Sequence, residues 1–358
     1  LPNQILRKNK LISLDEALRY IHFSESLNQL NSAIERLKFD EHFFFQLILA
    51  LRKKSFQNSK TKRFIDIGPY FRKVSNIIDF NLTNAQKRVI QEIHLDMKRN
   101  FPMNRLIQGD VGSGKTIVAI LTSAIAVGNN VQVSIMAPTE ILATQHYQSF
   151  KSYLDNAKIT CALLTGKMKL SERKLILNGL EKGNIDVIIG THAIIQPDIT
   201  FKNLGLIIID EQHRFGVKQR ASLQEKGENP HTLSMTATPI PRTLSITYNG
   251  DMDLSLIDEL PKNRIPITTK VIEPGRINKV YQFIRKEISQ KKQCIIVYPL
   301  VEESKSSDLA AAEEAYKELS SIQFHNFEVG LLHGKMGSDD KKKIINQFEN
   351  NDISILIS

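Results

Sequence analysis

Gly109-Asp110-Val111-Gly112-Ser113-Gly114-Lys115-Thr116 matches G-x-x-x-x-G-K-[ST], the pattern of a loop that wraps a nucleotide's phosphates. Glycines let such a loop turn its backbone N–H groups inward, and the helix that follows presents its positive end to the anion. The context is the required one: Arg105-Gln108 predicts a strand before the loop, and Ile117 to Ala126 predicts an apolar helix after it. Lys115 is expected to bridge the β- and γ-phosphates and the Thr116 hydroxyl to ligate Mg²⁺. Gly109, Asp110, Gly112, Ser113, Gly114, Lys115 and Thr116 therefore form a candidate nucleotide-binding set.

Downstream, the apolar residues Leu206 to Ile209 run into Asp210-Glu211-Gln212-His213. A carboxylate closing a parallel strand stands at the edge where such sheets present ligands. Asp210 is expected to hold magnesium with Thr116, directly or through water, and Glu211 to orient or deprotonate the attacking water. Taken alone, the pair reads equally as a helix cap; together with the phosphate loop it points to phosphate hydrolysis. Lys115, Asp210 and Glu211 are the candidate catalytic residues.

The chain has 358 residues, room for two domains and a short third segment. Hydrophobic content of 41% with 24% charged residues is ordinary for a soluble globular protein. A formal charge of +10 favours a polyanionic partner, because basic surface attracts phosphate and releases counterions; solvated lysines from a lysine-rich composition are the alternative. Cys161 and Cys294 lie in separate apolar runs and read as small buried hydrophobes, too few for a zinc site or a disulfide framework. No apolar run approaches the roughly 18 residues of a membrane-crossing helix. Leu1 is not a start methionine and no signal-peptide pattern follows it, so the expectation is a soluble intracellular protein cut from something longer.

Residues 1–78 read as helical. Ser13-Leu14-Asp15-Glu16 is a capping box ahead of Ala17, Leu18 and Ile21. A second helix over Ser26 to Lys54 carries Leu27, Leu30, Ile34 and Leu37, then Phe43, Leu47 and Leu51, at three-to-four spacing. The basic run Arg52 to Arg63 reads as a solvated linker, with a nucleic-acid contact as the alternative. From Leu82 to Leu260 short apolar runs alternate with amphipathic stretches, which describes βαβ units and a parallel sheet buried on both faces. The predicted strands are Arg105-Gln108, Gln132-Met136, Thr160-Leu164, Asp186-Gly190, Leu206-Asp210 and Thr232-Met235. Pro261 to Pro266 makes a linker to a second alternating unit, with strands at Ile267-Ile272, Gln293-Tyr298, Glu328-Leu332 and Ile353-Ile357. The last of these reads as an interior strand, so the second unit is expected to be truncated.

The box Asp210-Glu211-Gln212-His213, with Thr236-Ala237-Thr238 after it and the phosphate loop before it, resembles superfamily 2 helicases and translocases. Longer strings narrow the resemblance to the RecG family. They are Met136-Ala137-Pro138-Thr139-Glu140-Ile141-Leu142-Ala143, Gly190-Thr191-His192-Ala193, Asp210-Glu211-Gln212-His213-Arg214-Phe215-Gly216-Val217 and Met235-Thr236-Ala237-Thr238-Pro239-Ile240-Pro241-Arg242-Thr243. Gly250-Asp251-Met252-Asp253 and Ile257-Asp258-Glu259-Leu260-Pro261 also fit. The Mfd translocases share the Thr-Ala-Thr-Pro-Ile-Pro-Arg-Thr string but usually depart in the acidic box, so the RecG family is preferred. Leu14 to His22 and Arg36-Leu37-Lys38-Phe39 resemble the segment between that family's DNA-binding wedge and its motor.

The resemblance implies an α/β fold: a RecA-like P-loop NTPase domain with a parallel sheet over 79–262, a second, incomplete RecA-like domain over 263–358, and a helical linking segment over 1–78. It implies ATP and Mg²⁺ as cofactors, and an ATP-dependent helicase or translocase working on stalled forks and Holliday junctions in repair and recombination. Implied partners are branched double-stranded DNA and a single-strand-binding protein at forks, with no membrane, for a monomeric bacterial cytoplasmic protein. Gln86 would read adenine, although Thr83-Asn84-Ala85-Gln86 is also a capping box. His213, Thr236 and Thr238 would sense the γ-phosphate and couple hydrolysis to motion, or simply close a strand end. Pro138, Thr139, Thr165, Gly166, Gly190, Thr191 and His192, with His333 and Gly334 beside Lys335 in the second domain, would line the DNA path; each reads equally as a strand-to-helix cap or turn. The family's wedge, later motor motifs and arginine-bearing motif are not found in the sequence. A fragment that binds ATP and DNA without turnover is therefore the rival reading, and an RNA motor the third.

Overall fold

In the computed structural model, which describes residues 1–166, 168–238, 252–261, 267–298, 316–334 and 336–358, the chain opens with helices. These are α1 (Asn3–Lys8), α2 (Leu14–His22) and α3 (Leu27–Gln57). The predicted capping box starts α2: Ser13 Oγ accepts from Glu16 N at 3.2 Å, and Ser13 N donates to Glu16 Oε2 at 2.9 Å. Arg36 on α3 is buried and forks onto Asp40 at 3.1 and 3.0 Å, while its Nη1 donates to Ile12 O at 2.8 Å. A buried guanidinium is tolerated only when its donors are matched, so this clamp ties the turn before α2 to α3.

The basic run after α3 is not a free linker. Thr61 Oγ1 donates to Asn229 O, Lys62 Nζ to Asn130 O and Arg63 Nε to Lys98 O, at 2.7, 3.2 and 2.8 Å. Phe64 is fully buried, edge-on to the His231 ring with centroids 4.5 Å apart. The segment thus straps the edge at which the strands begin, where backbone carbonyls need partners.

Helices α4 (Gly68–Ile77) and α5 (Asn84–Met97) lead into the alternating region. It runs β1 (Asn104–Gly109), α6 (Lys115–Gly128), β2 (Gln132–Met136), α7 (Glu140–Leu154), β3 (Cys161–Leu164), α8 (Leu170–Lys182), β4 (Val187–Gly190), β5 (Leu204–Asp210), α9 (Val217–Gln224), β6 (His231–Thr236) and β7 (Asp253–Ile257). The strands form one sheet in the order β3-β4-β2-β5-β6-β1-β7, with every pairing parallel. Alternate residues serve opposite faces, as a period of two requires. Leu206 and Ile208 join a core with α5, α6 and α7, while Ile207 and Ile209 join one with α8 and α9. All six predicted strands of this unit form. The seventh, β7, was missed: Asp253 and Ser255 interrupt the apolar run of Asp253-Leu254-Ser255-Leu256-Ile257, and it becomes a strand by pairing with β1 from Arg105↔Asp253 to Gly109↔Ile257.

The chain divides into two compact units, Leu1–Arg264 and Ile265–Ser358. In the second, α10 (Ile277–Ser289), β8 (Cys294–Ile296), β9 (Val329–Leu331), α11 (Ser338–Glu349) and β10 (Ile355–Ile357) surround a three-stranded parallel sheet ordered β8-β10-β9. Strand β10 is interior, as its apolar run predicts. The strand expected at Ile267-Ile272 does not form; Ile267 and Val271 are exposed and join no strand among the described residues. Alternation makes a strand only where a sheet edge is available to pair with it. Among the described residues no helix is long and apolar enough to cross a membrane.

Candidate nucleotide and nucleic-acid site

The phosphate loop leaves the carboxyl end of β1 and enters α6, whose residues Ile117 to Val127 are all buried. A helix apolar on every face belongs inside a core, so the loop rests on a rigid base. Gly112 and Gly114 hold φ of 77° and 88°. At Gly114 a Cβ would also run into the Gln86 amide, so no side chain fits there. Lys115 Nζ donates to Gly109 O and Asp110 O at 2.7 and 3.0 Å, folding the ammonium back over its own loop. Burial pushes the Lys115 ammonium below the ordinary lysine value, while Glu211, Asp210 and Asp110 pull it back up. The Ser113 hydroxyl is buried without a partner among the described residues. An orphaned donor in a glycine-turned loop is what a phosphate oxygen would satisfy.

Gln86 spans both readings made of it. Its Oε1 accepts from Thr83 N at 2.9 Å, completing the capping box of α5, and its Nε2 donates to Ser113 O at 2.8 Å. The cap and the phosphate loop are thus tied through one buried amide.

Strand β6 lies beside β1 and β5 beside β6, and all three run parallel to end at the same edge. Asp210 closes β5; its Oδ1 accepts from Glu211 N at 3.1 Å, and its Oδ2 stands 2.7 Å from His146 Nε2. Glu211 takes the left-handed conformation at φ 47°, uncommon for a residue with a side chain. Its Oε2 accepts from Thr236 Oγ1 at 3.0 Å, and its Oε1 from Ala237 N at 3.1 Å. Thr238 N and Oγ1 both lie 3.1 Å from Thr236 Oγ1. His213 Nδ1 is 3.5 Å from Glu211 Oε2. Thr236 therefore reaches Glu211 directly and Thr238 reaches Thr236.

Magnesium fits this donor set. Among the described residues no cluster of three or more His, Cys, Asp or Glu makes a closed cage. The Thr116 hydroxyl and the Asp210 carboxylate are hard oxygen ligands of the kind that hold Mg²⁺ together with a substrate's phosphates.

The other residues assigned to phosphate contact gather on the adjoining half of the same edge. Pro138 and Thr139 follow β2, Thr165 and Gly166 follow β3, and Gly190 to His192 end β4. Thr139 caps α7, its Oγ1 accepting from Leu142 N at 3.3 Å. Gly190 sits so close to Leu164 O that a Cβ would collide with it. Thr191 Oγ1 is buried with no partner among the described residues, whereas His192 is exposed. Pro138, Thr139, Glu211, His213 and Thr238 line one cavity of about 600 Å³. A larger cavity of about 870 Å³, walled by Lys62, Lys202 and Lys226, opens at the opposite edge, away from the phosphate loop and the acidic box. Chemistry, not volume, selects between them.

In the second unit His333 N lies 3.4 Å from Met336 Sδ, His333 Nδ1 is buried with no partner among the described residues, and Gly334 O accepts from Lys341 Nζ at 2.7 Å. Lys335, the string Pro239 to Thr243, Gly250-Asp251 and residues 262–266 of the linker lie outside the described residues. His146 was missed by sequence reasoning: a histidine inside an amphipathic helix carries no local sign that it meets a carboxylate 64 residues away.

A parallel sheet that carries a phosphate loop, an acidic box and a threonine pair on one edge defines the RecA-like core of a superfamily 2 helicase. The sequence profile of the DEAD/DEAH box helicases matches residues 83–246, and that of the helicase conserved C-terminal domain matches residues 275–358. The chain belongs to the RecG family. It is 45% identical, over its whole length, to the ATP-dependent DNA helicase RecG of Synechocystis sp., covering 43% of that relative. The Thermotoga maritima and Streptococcus pneumoniae proteins of the same name are 44% and 45% identical, again across the whole chain, with 46% and 53% of their own lengths covered. The chain thus spans about half the length of these relatives. A solved structure of RecG bound to a three-way DNA junction superposes with a TM-score of 0.82 at 41% identity, covering 100% of this chain and 47% of that one. The Mycobacterium smegmatis helicase Lhr, bound to ssDNA and AMP-PNP, is similar in fold alone, with a TM-score of 0.58 at 15% identity, over 83% of this chain and 42% of that one.

Proposed function

We propose that the chain is the motor part of an ATP-dependent DNA helicase or translocase acting on branched DNA, at stalled forks and Holliday junctions, in repair and recombination. The observation that carries this reading is the cavity shared by Glu211, Thr238 and the Pro138-Thr139 corner. It puts the candidate hydrolytic base and a candidate phosphate-contacting corner on one wall. The name and activity of the RecG relatives support the reaction, and the junction held by the solved RecG structure supports branched DNA as the partner.

In this reading the loop from Gly109 to Thr116 holds the phosphates through backbone N–H groups and the Ser113 hydroxyl. Lys115 turns from the carbonyls of Gly109 and Asp110 to the β- and γ-phosphates. Thr116 and Asp210 hold magnesium, which when bound offsets charge developing on the transferring phosphoryl group. Glu211 orients and deprotonates the attacking water, and Gln86 reads adenine from the cap of α5. Thr236 and Thr238, with His213, pass the state of Glu211 to the DNA path at Pro138, Thr139, Thr165, Gly166, Gly190, Thr191 and His192; within the second unit, His333 and Gly334 are DNA contacts in their own right. Residues 1–78 act as the linking segment, 79–262 as the ATP-binding motor domain and 263–358 as part of the second. The reading carries with it a monomeric cytoplasmic protein, with a single-strand-binding protein as a partner at forks.

The test is ATP turnover by this chain and by a full-length protein containing it, with branched DNA, matched linear duplex and matched RNA. Branched DNA is expected to stimulate most. Stronger stimulation by RNA, or no turnover in either protein, overturns the reading.

A further inference from the structure

The acidic residue assigned to magnesium is held from outside the acidic box. His146 stands on α7, about two turns after Thr139, with its Nε2 2.7 Å from Asp210 Oδ2. Both side chains are 12% exposed, so little water competes for the contact. The other oxygen, Oδ1, is taken by Glu211 N at 3.1 Å. An ionised carboxylate only accepts, so His146 Nε2 carries the hydrogen. One turn on, Phe150 is fully buried and meets the imidazole edge-on, at 6.4 Å between centroids and 85° between planes. The ring is thus pinned by a core residue of its own helix while it grips a side chain on the sheet.

We propose that His146 is a positioning residue for Asp210. It fixes the carboxylate plane against rotation, with one lone pair of each oxygen spoken for, one by His146 and one by the Glu211 backbone. The lone pairs left over are then presented in one orientation to a magnesium ion or its water. Partners of this kind, one shell outside a metal, set the orientation and basicity of the ligand. The helix that carries His146 also begins at the Thr139 corner, so the group orienting the candidate metal ligand rides on the element that starts at the candidate DNA path. The proposal rests on the nucleotide and magnesium reading of the acidic box.

The experiment titrates Mg²⁺ against equilibrium binding of a fluorescent ATP analogue to the 358-residue chain, without reference to turnover. His146→Ala is expected to raise half-saturating Mg²⁺ by roughly 10- to 100-fold. His146→Gln, whose Nε2 can occupy the place of the imidazole Nε2, should recover most of that loss, and His146→Asn, whose amide falls short, should not. A residue that merely filled space would treat the two amides alike. An unchanged Mg²⁺ requirement in His146→Ala, or equal behaviour of the Gln and Asn variants, overturns the proposal. If the Ala variant melts early, the Gln and Asn pair decides alone. Failure of the unmodified chain to bind nucleotide with Mg²⁺ at all would instead remove the reading of the site itself.

Discussion

Thr236 Oγ1 donates to Glu211 Oε2 at 3.0 Å, while the next backbone amide, Ala237 N, donates to Oε1 at 3.1 Å. Both oxygens of the candidate base are therefore engaged by the end of β6. Each oxygen keeps a second lone pair for a proton from water, and protonating Glu211 weakens the bonds it accepts from the end of β6. Thr236→Val removes the hydroxyl and keeps the shape. In the full-length protein, ATP binding should persist while the stimulation of turnover by DNA drops by a factor of roughly 2 to 30, the range for about 0.5–2 kcal/mol of coupling. Undiminished stimulation would show that Thr236 closes the strand and nothing more.

Glu211→Gln keeps the acceptor that holds Ala237 N but removes the basic carboxylate. Nucleotide binding should survive and the turnover of the full-length protein should fall by roughly 10²–10⁴. Turnover near the unmodified rate would mean that another group takes the proton.

Lys115→Ala removes the ammonium that now rests on Gly109 O and Asp110 O. Loss of both nucleotide binding and turnover is expected, read by fluorescent-nucleotide titration and by phosphate release. The fold should be unaffected, since this ammonium serves its own loop; retained tight binding would contradict the role given to Lys115.

His231 offers a test of stability. It is fully buried; its Nδ1 accepts from Met103 N and its Nε2 donates to Lys62 O, both at 2.9 Å. Burial pushes the imidazole down to about 4. The folded value lies below the unfolded value near 6.5, so the unfolded chain takes up the proton first. Stability from this group is complete above pH 6.5 and drains as pH falls toward 4, by roughly 3 kcal/mol over that window. Protonation also destroys the acceptor that Met103 N requires. Urea unfolding between pH 7 and pH 4 should show a steeper acid loss in the unmodified chain than in His231→Gln. Parallel curves would refute the assignment.

Local spacing determined much of this protein. The pattern from Gly109 to Thr116 dictates its own backbone, because only glycine at positions 112 and 114 allows the turn that aims the amides inward. Short apolar runs marked six of the seven strands described in the first unit, since a parallel strand covered on both faces buries successive residues. Asp210 and Glu211 were legible because they end such a run. The order β3-β4-β2-β5-β6-β1-β7 was not, and it alone puts the acidic box between the phosphate loop and the Pro138-Thr139 corner. The same holds for the grip of His146 on Asp210, for β7, and for the basic run that straps the far edge of the sheet. It holds in reverse for Ile267-Ile272, whose pattern found no edge to join. Periodicity and loop chemistry belong to neighbours in the chain and can be read along it. Which distant groups meet depends on how strands are ordered and helices laid across them, and that is decided when the whole core packs.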